Sequence, residues 1–287
     1  MRKQYQFGRV QIELQMPDGM SMPKNMGMFE CEGADADMLF QLEYTSDLMA
    51  VERQFRREHV KIQEIRRENM RILIAGNREC RILSFHGNAA PYAVSVEENE
   101  KKNHVWVAEE VASLLSHDTI FVSLLSLEKL MIKNNALILH SAYMCREDRA
   151  VLFSAPSETG KSTQADLWEK YRQTRTINGD RSLLIREPDG WYAYGWPVCG
   201  SSEICHNETY PIHAIVMLHQ AEDNEVIRLN GFSIIQRLMA QITINMWNAE
   251  FQTRALDLIE QIALEIPVYE LGCNISEEAV QCLERVL

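Results

Sequence analysis

The chain reads as a mixed α/β protein of α+β character, with a strand-rich region over residues 1–134 and a second domain over 135–287. Short apolar runs of strand length, closed by turn-forming residues, recur throughout. From about residue 135 a buried-type strand, a glycine-containing loop and a helix follow one another. Hairpin signals in the second half are too frequent for a parallel sheet of repeated βαβ units.

Element by element, the stretch from Phe7 to Leu14 alternates apolar and polar residues, which is the period of a strand. A turn-rich segment follows from Pro17 to Gly33. Eight of the 14 methionines lie in the first 50 residues, a pattern that fits soft packing under a loop better than a binding surface. Arg53 to Arg71 mixes seven Arg or Lys with Glu52, Glu58, Glu64 and Glu68, which reads as a solvated face. Arg71–Ala75 and Arg81–Phe85 pair as strands around Gly76-Asn77, and His104–Val107 is a further strand. Ile120, Leu124, Leu127 and Met131 share one face of a helix expected over Asp118–Ile132.

In the second half, strands are expected at Ala136–His140, Ala150–Ser154, Ser182–Ile185, Trp191–Tyr194, Ile212–Leu218 and Val268–Leu271. Turns fall at Cys145–Asp148 and Pro188–Gly190. Helices are expected at Ser162–Tyr171, Phe232–Met246, Thr253–Ala263 and Glu277–Val286.

Composition narrows the function classes. The chain has 287 residues, 46% hydrophobic and 24% charged, which is the make-up of a folded globular protein. A net charge of −12 disfavours nucleic-acid backbone and anionic membrane as partners. Seven cysteines, odd in number and without a CxxC pair, fit a reducing cytosol rather than a disulfide framework. No apolar run is long enough to span a bilayer, and the first residues lack the apolar core of a signal peptide.

One motif carries chemistry. Ala155-Pro156-Ser157-Glu158-Thr159-Gly160-Lys161-Ser162-Thr163 is a phosphate-binding loop with alanine at its first position, between a buried strand and a helix. Loop N–H groups and the helix N-terminus favour phosphate oxygens. Gly160 lets the backbone pass close to them, Lys161 reaches the β- and γ-phosphates, and the Ser162 hydroxyl suits magnesium. Ser157 through Thr163 form the expected nucleotide site. Asp180, soon after this helix, suits magnesium or a hydroxyl proton, so Ser162 and Asp180 are the expected metal ligands. His140 ends the strand before the loop and reads equally as a structural histidine or a site residue. Gly195 to Ser202 reads equally as a tight turn or a loop approaching phosphate. Arg181 and Arg228 suit phosphate or surface pairing alike. Trp191, Tyr192, Tyr194 and Trp196 read as sheet packing. Cys199, Cys205 and His206 read as core or loop residues rather than a metal site.

The order of His140, strand, loop, helix and Asp180 resembles the catalytic domain of HPr kinase/phosphorylase, a fold related to phosphoenolpyruvate carboxykinase. The resemblance runs from about Ala136 to the C-terminus, roughly half the chain. It extends to bacterial HPr-kinase-like proteins, including the peptide-serine kinases of modified-peptide gene clusters. Ser157, Gly160, Lys161 and Ser162 match the family loop, while Ala155 and Glu158 replace glycines. Gly179-Asp180 keeps one of the family's two adjacent aspartates, and His140 would supply the missing base. The resemblance implies an ATP- and Mg2+-dependent kinase that transfers the γ-phosphoryl group to a hydroxyl. The acceptor would be a peptide or protein serine or a small molecule. Catalytic roles would fall to Asp180, His140 and Lys161, and association with further copies of the chain is compatible with this reading. The alternative is a degenerate nucleotide-binding accessory or scaffold protein without turnover. A nucleotide-dependent switch ranks lower, because no guanine-reading motif is present.

Overall fold

A computed structural model describes residues 1–33, 35–88 and 90–287. The chain divides into two compact units, Met1–Leu127 and Glu128–Leu287, so the division falls a few residues before the position at which the sequence pattern changes.

The first unit contains β1 (Arg2–Phe7), β2 (Val10–Gln15), β3 (Glu30–Cys31), β4 (Met38–Thr45), α1 (Leu48–Glu58), β5 (Gln63–Arg67), β6 (Met70–Ala75), β7 (Arg78–Ser84), β8 (Pro91–Asn99), β9 (Lys102–Ala108) and α2 (Asp118–Leu125). Among the described residues its strands form one nine-stranded sheet in the order β3-β1-β2-β4-β9-β8-β7-β6-β5. β6 and β7 join through the two-residue turn Gly76-Asn77. Phe7–Leu14 is not one strand: it folds back at Gly8, where φ is +58°. The two-residue turn shifts the parity by one, so buried Tyr5 and Phe7 pair with buried Ile12 and Val10 across the hairpin. Met16, Met20 and Met26 are buried, as soft packing requires. α1 lays Leu48 and Phe55 against Leu73, Ile82, Val94 and Val96 of the sheet. The Arg53–Arg71 segment is not wholly solvated, because Glu52 is buried and accepts hydrogen bonds from both Arg56 and Arg71.

The helix expected over Asp118–Ile132 is two helices. Ser126 adopts a left-handed conformation (φ +49°) after α2, and α3 (Leu127–Lys133) starts afresh. The second unit continues with β10 (Ala136–Arg146), β11 (Arg149–Ser154), α4 (Lys161–Arg172), β12 (Arg175–Asn178), β13 (Arg181–Glu187), β14 (Gly190–Tyr194), β15 (Thr209–Gln220), β16 (Glu225–Arg228), α5 (Gly231–Met239), α6 (Ala249–Glu265), β17 (Val268–Cys273) and α7 (Glu277–Glu284). The strand order is β11-β10-β13-β14-β15-β17-β16, with β12 also on β10 and β11 also parallel to β15. The helix expected over Phe232–Met246 stops at Met239, because Ile242 bridges Leu139 of β10 instead. A tertiary backbone pairing overrides the local helical period.

The sheet of the second unit is covered on both faces. Val151 and Phe153 face Ala165 and Trp168 of α4 and Val280 and Leu283 of α7. Ala150 and Leu152 face the other way, toward Ala255, Leu258, Ile259 and Ile262 of α6. Burying a side chain such as Phe153 contributes about 2–3 kcal/mol. This packing anchors β11 and α4, the two elements that hold the glycine-containing loop. The mixed α/β class expected from the sequence is the class observed. Among the described residues no helix is long and apolar enough to cross a membrane.

Candidate functional site

The site begins with a break in the sheet. On one side of β10, β13 pairs with residues 136–140 and β12 with residues 143–145, and the turn Gly179-Asp180 fills the gap between them. On the other side β11 pairs from Ser141 onward, while Gln241 and Thr243 bond to His140 and Ile138. His140 therefore stands where the neighbours of β10 change on both sides. Its N–H donates to the Gln241 carbonyl (2.9 Å), and its own carbonyl accepts from Ser154 Oγ (2.7 Å). His140 does not end its strand, because β10 runs on to Arg146; it lies instead beside the carboxyl end of β11, at Ser154, where ligands of α/β proteins commonly bind.

β11 ends at Ser154, the loop 155–160 follows, and α4 starts at Lys161. Gly160 has φ +110°, and a Cβ there would meet nothing within 4 Å, so the need for glycine is conformational rather than steric. Ala155, by contrast, is buried within the α4 core, so its methyl group packs where the resembling family has glycine. Ser157, Glu158 and Ser162 are exposed, and Thr159 and Thr163 are half-buried. Glu158 takes a left-handed conformation (φ +64°) with its side chain toward solvent.

Lys161 is only 7% exposed. Its Nζ donates to the carbonyls of Ala155 (3.1 Å) and Pro156 (3.2 Å), so the ammonium folds back onto the loop that precedes it. Burial holds this ammonium below the ordinary lysine range; Asp180 opposes the fall and Arg181 adds to it.

Asp180 is clasped from both sides. His140 Nε2 lies 3.2 Å from Oδ1, and Arg181 Nε lies 3.3 Å from Oδ2. Burial alone would raise the Asp180 carboxyl. The His140 hydrogen bond and the charges of Arg181, His140 and Lys161 outweigh it and hold the group below the usual carboxylate range. The structure thus brings Lys161, Asp180 and His140 into one electrostatic cluster. The exposed hydroxyls of Ser157 and Ser162 lie on the loop and the first turn of α4, and no hydrogen bond ties them to the His140–Asp180 pair.

The residue that builds this turn is one the sequence did not single out. Asn178 is fully buried, and its Oδ1 accepts from the backbone N–H groups of Asp180 (2.9 Å) and Arg181 (2.8 Å). Its Nδ2 donates to the carbonyls of Trp196 (2.7 Å) and Val198 (3.1 Å). One amide thereby fixes both Asp180 and the 196–198 loop. An Asn-Gly pair just before the aspartate was the available signal, and it reads first as an ordinary turn. Gly200 (φ +58°) faces Asp180, where a Cβ would come within 3.3 Å of the carboxyl carbon. The loop Gly195–Ser202 therefore packs over the aspartate. Trp191 and Trp196 are buried, in keeping with sheet packing.

Cys199 and Cys205 are buried thiols, and among the described residues no three His, Cys, Asp or Glu side chains gather as a metal cage. Ser162 offers an exposed hydroxyl. Magnesium in phosphate-binding sites is commonly held by one or two protein ligands together with substrate phosphates. The Ser162 hydroxyl fits a magnesium ion that keeps phosphate and water among its ligands.

Among solved structures, the Hpr(Ser) kinase/phosphatase from Coxiella burnetii matches with 11% identity over 52% of this chain and 90% of that one. The TM-score is 0.31, an overlap too loose to define shared geometry. No curated protein matches the chain. One family model does, over residues 110–287, a stretch that includes the whole second unit. The chain belongs to the family described as SynChlorMet cassette protein ScmC.

Proposed function

We propose that the second unit is an ATP-dependent phosphotransferase of the HPr kinase and phosphoenolpyruvate carboxykinase type, acting on a hydroxyl of a peptide or protein serine or of a small molecule. One observation carries the reading: a buried Lys161 opens a helix after a glycine-turned loop and shares its field with an aspartate held by a histidine.

The chemistry follows from those groups. Phosphoryl transfer needs positioning and charge neutralisation more than covalent catalysis. The Lys161 ammonium exchanges its two loop carbonyls for the β- and γ-phosphate oxygens. The Ser162 hydroxyl is the ligand available to nucleotide-borne magnesium, which supplies further neutralisation of phosphate charge. The acceptor oxygen then bonds to the γ-phosphorus as the bond to the β,γ-bridging oxygen breaks, and ADP leaves.

The acceptor proton goes to His140. An ionised Asp180 accepts from Nε2–H, which fixes the tautomer and leaves Nδ1 as the basic ring nitrogen. Among the described residues no hydrogen bond engages that Nδ1. Asp180 itself is the weaker base, because its carboxyl lies below the usual range. Glu158 turns its side chain to solvent, so the loop's departure from glycine places no carboxylate inward.

The test is transfer of label from γ-labelled ATP with fractionated extract as acceptor source, for wild type and Lys161→Ala. Transfer by wild type that is lost in the variant is the expected result. Undiminished transfer by Lys161→Ala would overturn the assignment. Tight ATP binding by wild type with no labelled acceptor in any fraction favours the accessory, non-catalytic reading.

A further inference from the structure

We propose that Arg181 is a charge-neutralising residue of this site, and that its guanidinium occupies the side of Asp180 a second divalent cation would need. The site would then take a nucleoside triphosphate with a single divalent ion. The inference rests on the phosphotransferase reading above.

Two contacts hold the backbone of Arg181 and two hold its guanidinium. The Arg181 backbone N–H donates to Asn178 Oδ1 (2.8 Å), and the residue pairs directly with His140 across β10 and β13. Its Nε lies 3.3 Å from Asp180 Oδ2, and its Nη1 donates to Thr243 Oγ1 (3.2 Å). Thr243 is itself tethered, its N–H donating to the Ile138 carbonyl (2.9 Å). A surface arginine paired with one aspartate would not have a hydroxyl from a separate backbone segment holding its other arm.

This latch leaves Nη2 without a protein partner among the described residues. The side chain as a whole is 30% exposed. A planar guanidinium with two edges anchored and one open is pre-organised for a phosphate oxygen.

The charge count points the same way. The carboxylate of Asp180 is shared by Arg181 and His140, with Lys161 also in its field. Each carboxylate oxygen has a nitrogen beside it, His140 Nε2 at 3.2 Å from Oδ1 and Arg181 Nε at 3.3 Å from Oδ2, and no further acidic side chain completes a three-ligand cage among the described residues. A cation on Oδ2 would meet the like charge of the Arg181 guanidinium, whose Nε lies 3.3 Å from that oxygen and whose Nη1 is held by Thr243. A polyanion meets no such repulsion.

Divalent-ion stoichiometry tests this directly. Wild-type protein is titrated with Mn2+ by electron paramagnetic resonance, with and without a non-hydrolysable ATP analogue. The expected result is one Mn2+ per chain with the analogue and none tightly held without it. Arg181→Asp, which sets a second carboxylate beside Asp180, is expected to bind an additional Mn2+. Arg181→Ala is expected to lose on the order of tenfold in analogue affinity by calorimetry, and Arg181→Lys to recover part of it. If Arg181→Asp does not fold, Arg181→Gln carries the same affinity comparison. Two Mn2+ ions in wild type, or unchanged analogue affinity in Arg181→Ala, would overturn the proposal while leaving the phosphotransferase reading intact. Wild type that binds no analogue at all would overturn both.

Discussion

Two ionic clusters, one in each unit, differ in how their charges close. In the first unit Glu52, only 5% exposed, takes both Arg71 amino groups (3.0 and 2.7 Å) and Arg56 Nε (3.0 Å). Arg56 reaches on to Glu64 (2.7 Å). Glu64 also takes the exposed Arg66 (3.0 Å), so each of the three guanidiniums lies directly against a carboxylate. In the second unit one carboxylate, Asp180, faces His140, Arg181 and Lys161. That cluster is short of negative charge, within a chain whose net charge is −12. Hydrogen-bonded charge is common to both. In the first cluster every guanidinium lies against a carboxylate, which marks a structural tie; in the second the Lys161 ammonium bonds only to loop carbonyls, which marks a place for an anion.

The strongest way to break this distinction is Asp180→Asn. The amide keeps the shape and removes the charge that orients His140. Turnover is expected to fall by roughly 10²–10⁴ with the fold retained, read as kcat in the labelled-transfer assay. A loss of a few-fold would mean that Asp180 is a structural tie like Glu52.

The converse variant is Glu52→Gln. It leaves two arginines around a neutral amide in a buried place, and should cost about 3 kcal/mol in urea unfolding of the first unit. Nucleotide affinity should stay at the wild-type value. A Glu52→Gln protein of normal stability and impaired nucleotide binding would reverse the roles assigned to the two clusters.

Acid sharpens the comparison more gently. The carboxyls of Glu52 and Asp180 are both held below their ordinary range in the folded chain, against the opposing effect of burial. A carboxyl with a depressed folded-state pKa stabilises fully above its unfolded value, about 4. That stability is lost as pH falls through the lower folded values. Thermal unfolding between pH 7 and pH 3 should therefore show a falling midpoint, with a shallower slope in Glu52→Gln. An identical slope in the variant would remove Glu52 from the account.

The smallest effect is expected from Gly200→Ala. The alanine must hold φ near +58° and set a methyl 3.3 Å from the Asp180 carboxyl carbon. The strain is about 1 kcal/mol, and turnover should drop several-fold as the aspartate shifts. Unchanged kinetics would show that the loop over Asp180 yields freely.

What could be read from the sequence divides along similar lines. The β11–loop–α4 unit was legible because strand, glycine turn, lysine and helix are consecutive, and each is signalled locally. The Gly76-Asn77 hairpin was legible for the same reason. The break at Ser126 was not, since no glycine or proline marks the left-handed residue. The early end of α5 was not either, because Ile242 is drawn to Leu139 by a pairing distant in sequence. In the site, Asp180 and Lys161 stood out as residue types, and His140 only by its place before the loop. Asn178 did not stand out, nor did the Thr243 hold on Arg181, because each acts through a contact that exists only once β10, β12, β13 and residues 241–243 lie together.

The most direct test of the central claim is a calorimetric titration of the purified chain with ATP, with and without magnesium, beside Lys161→Ala. The account predicts magnesium-dependent binding by wild type that is lost in the variant, with the variant folded as wild type by circular dichroism. Folded wild-type protein that takes up no ATP under either condition would contradict it.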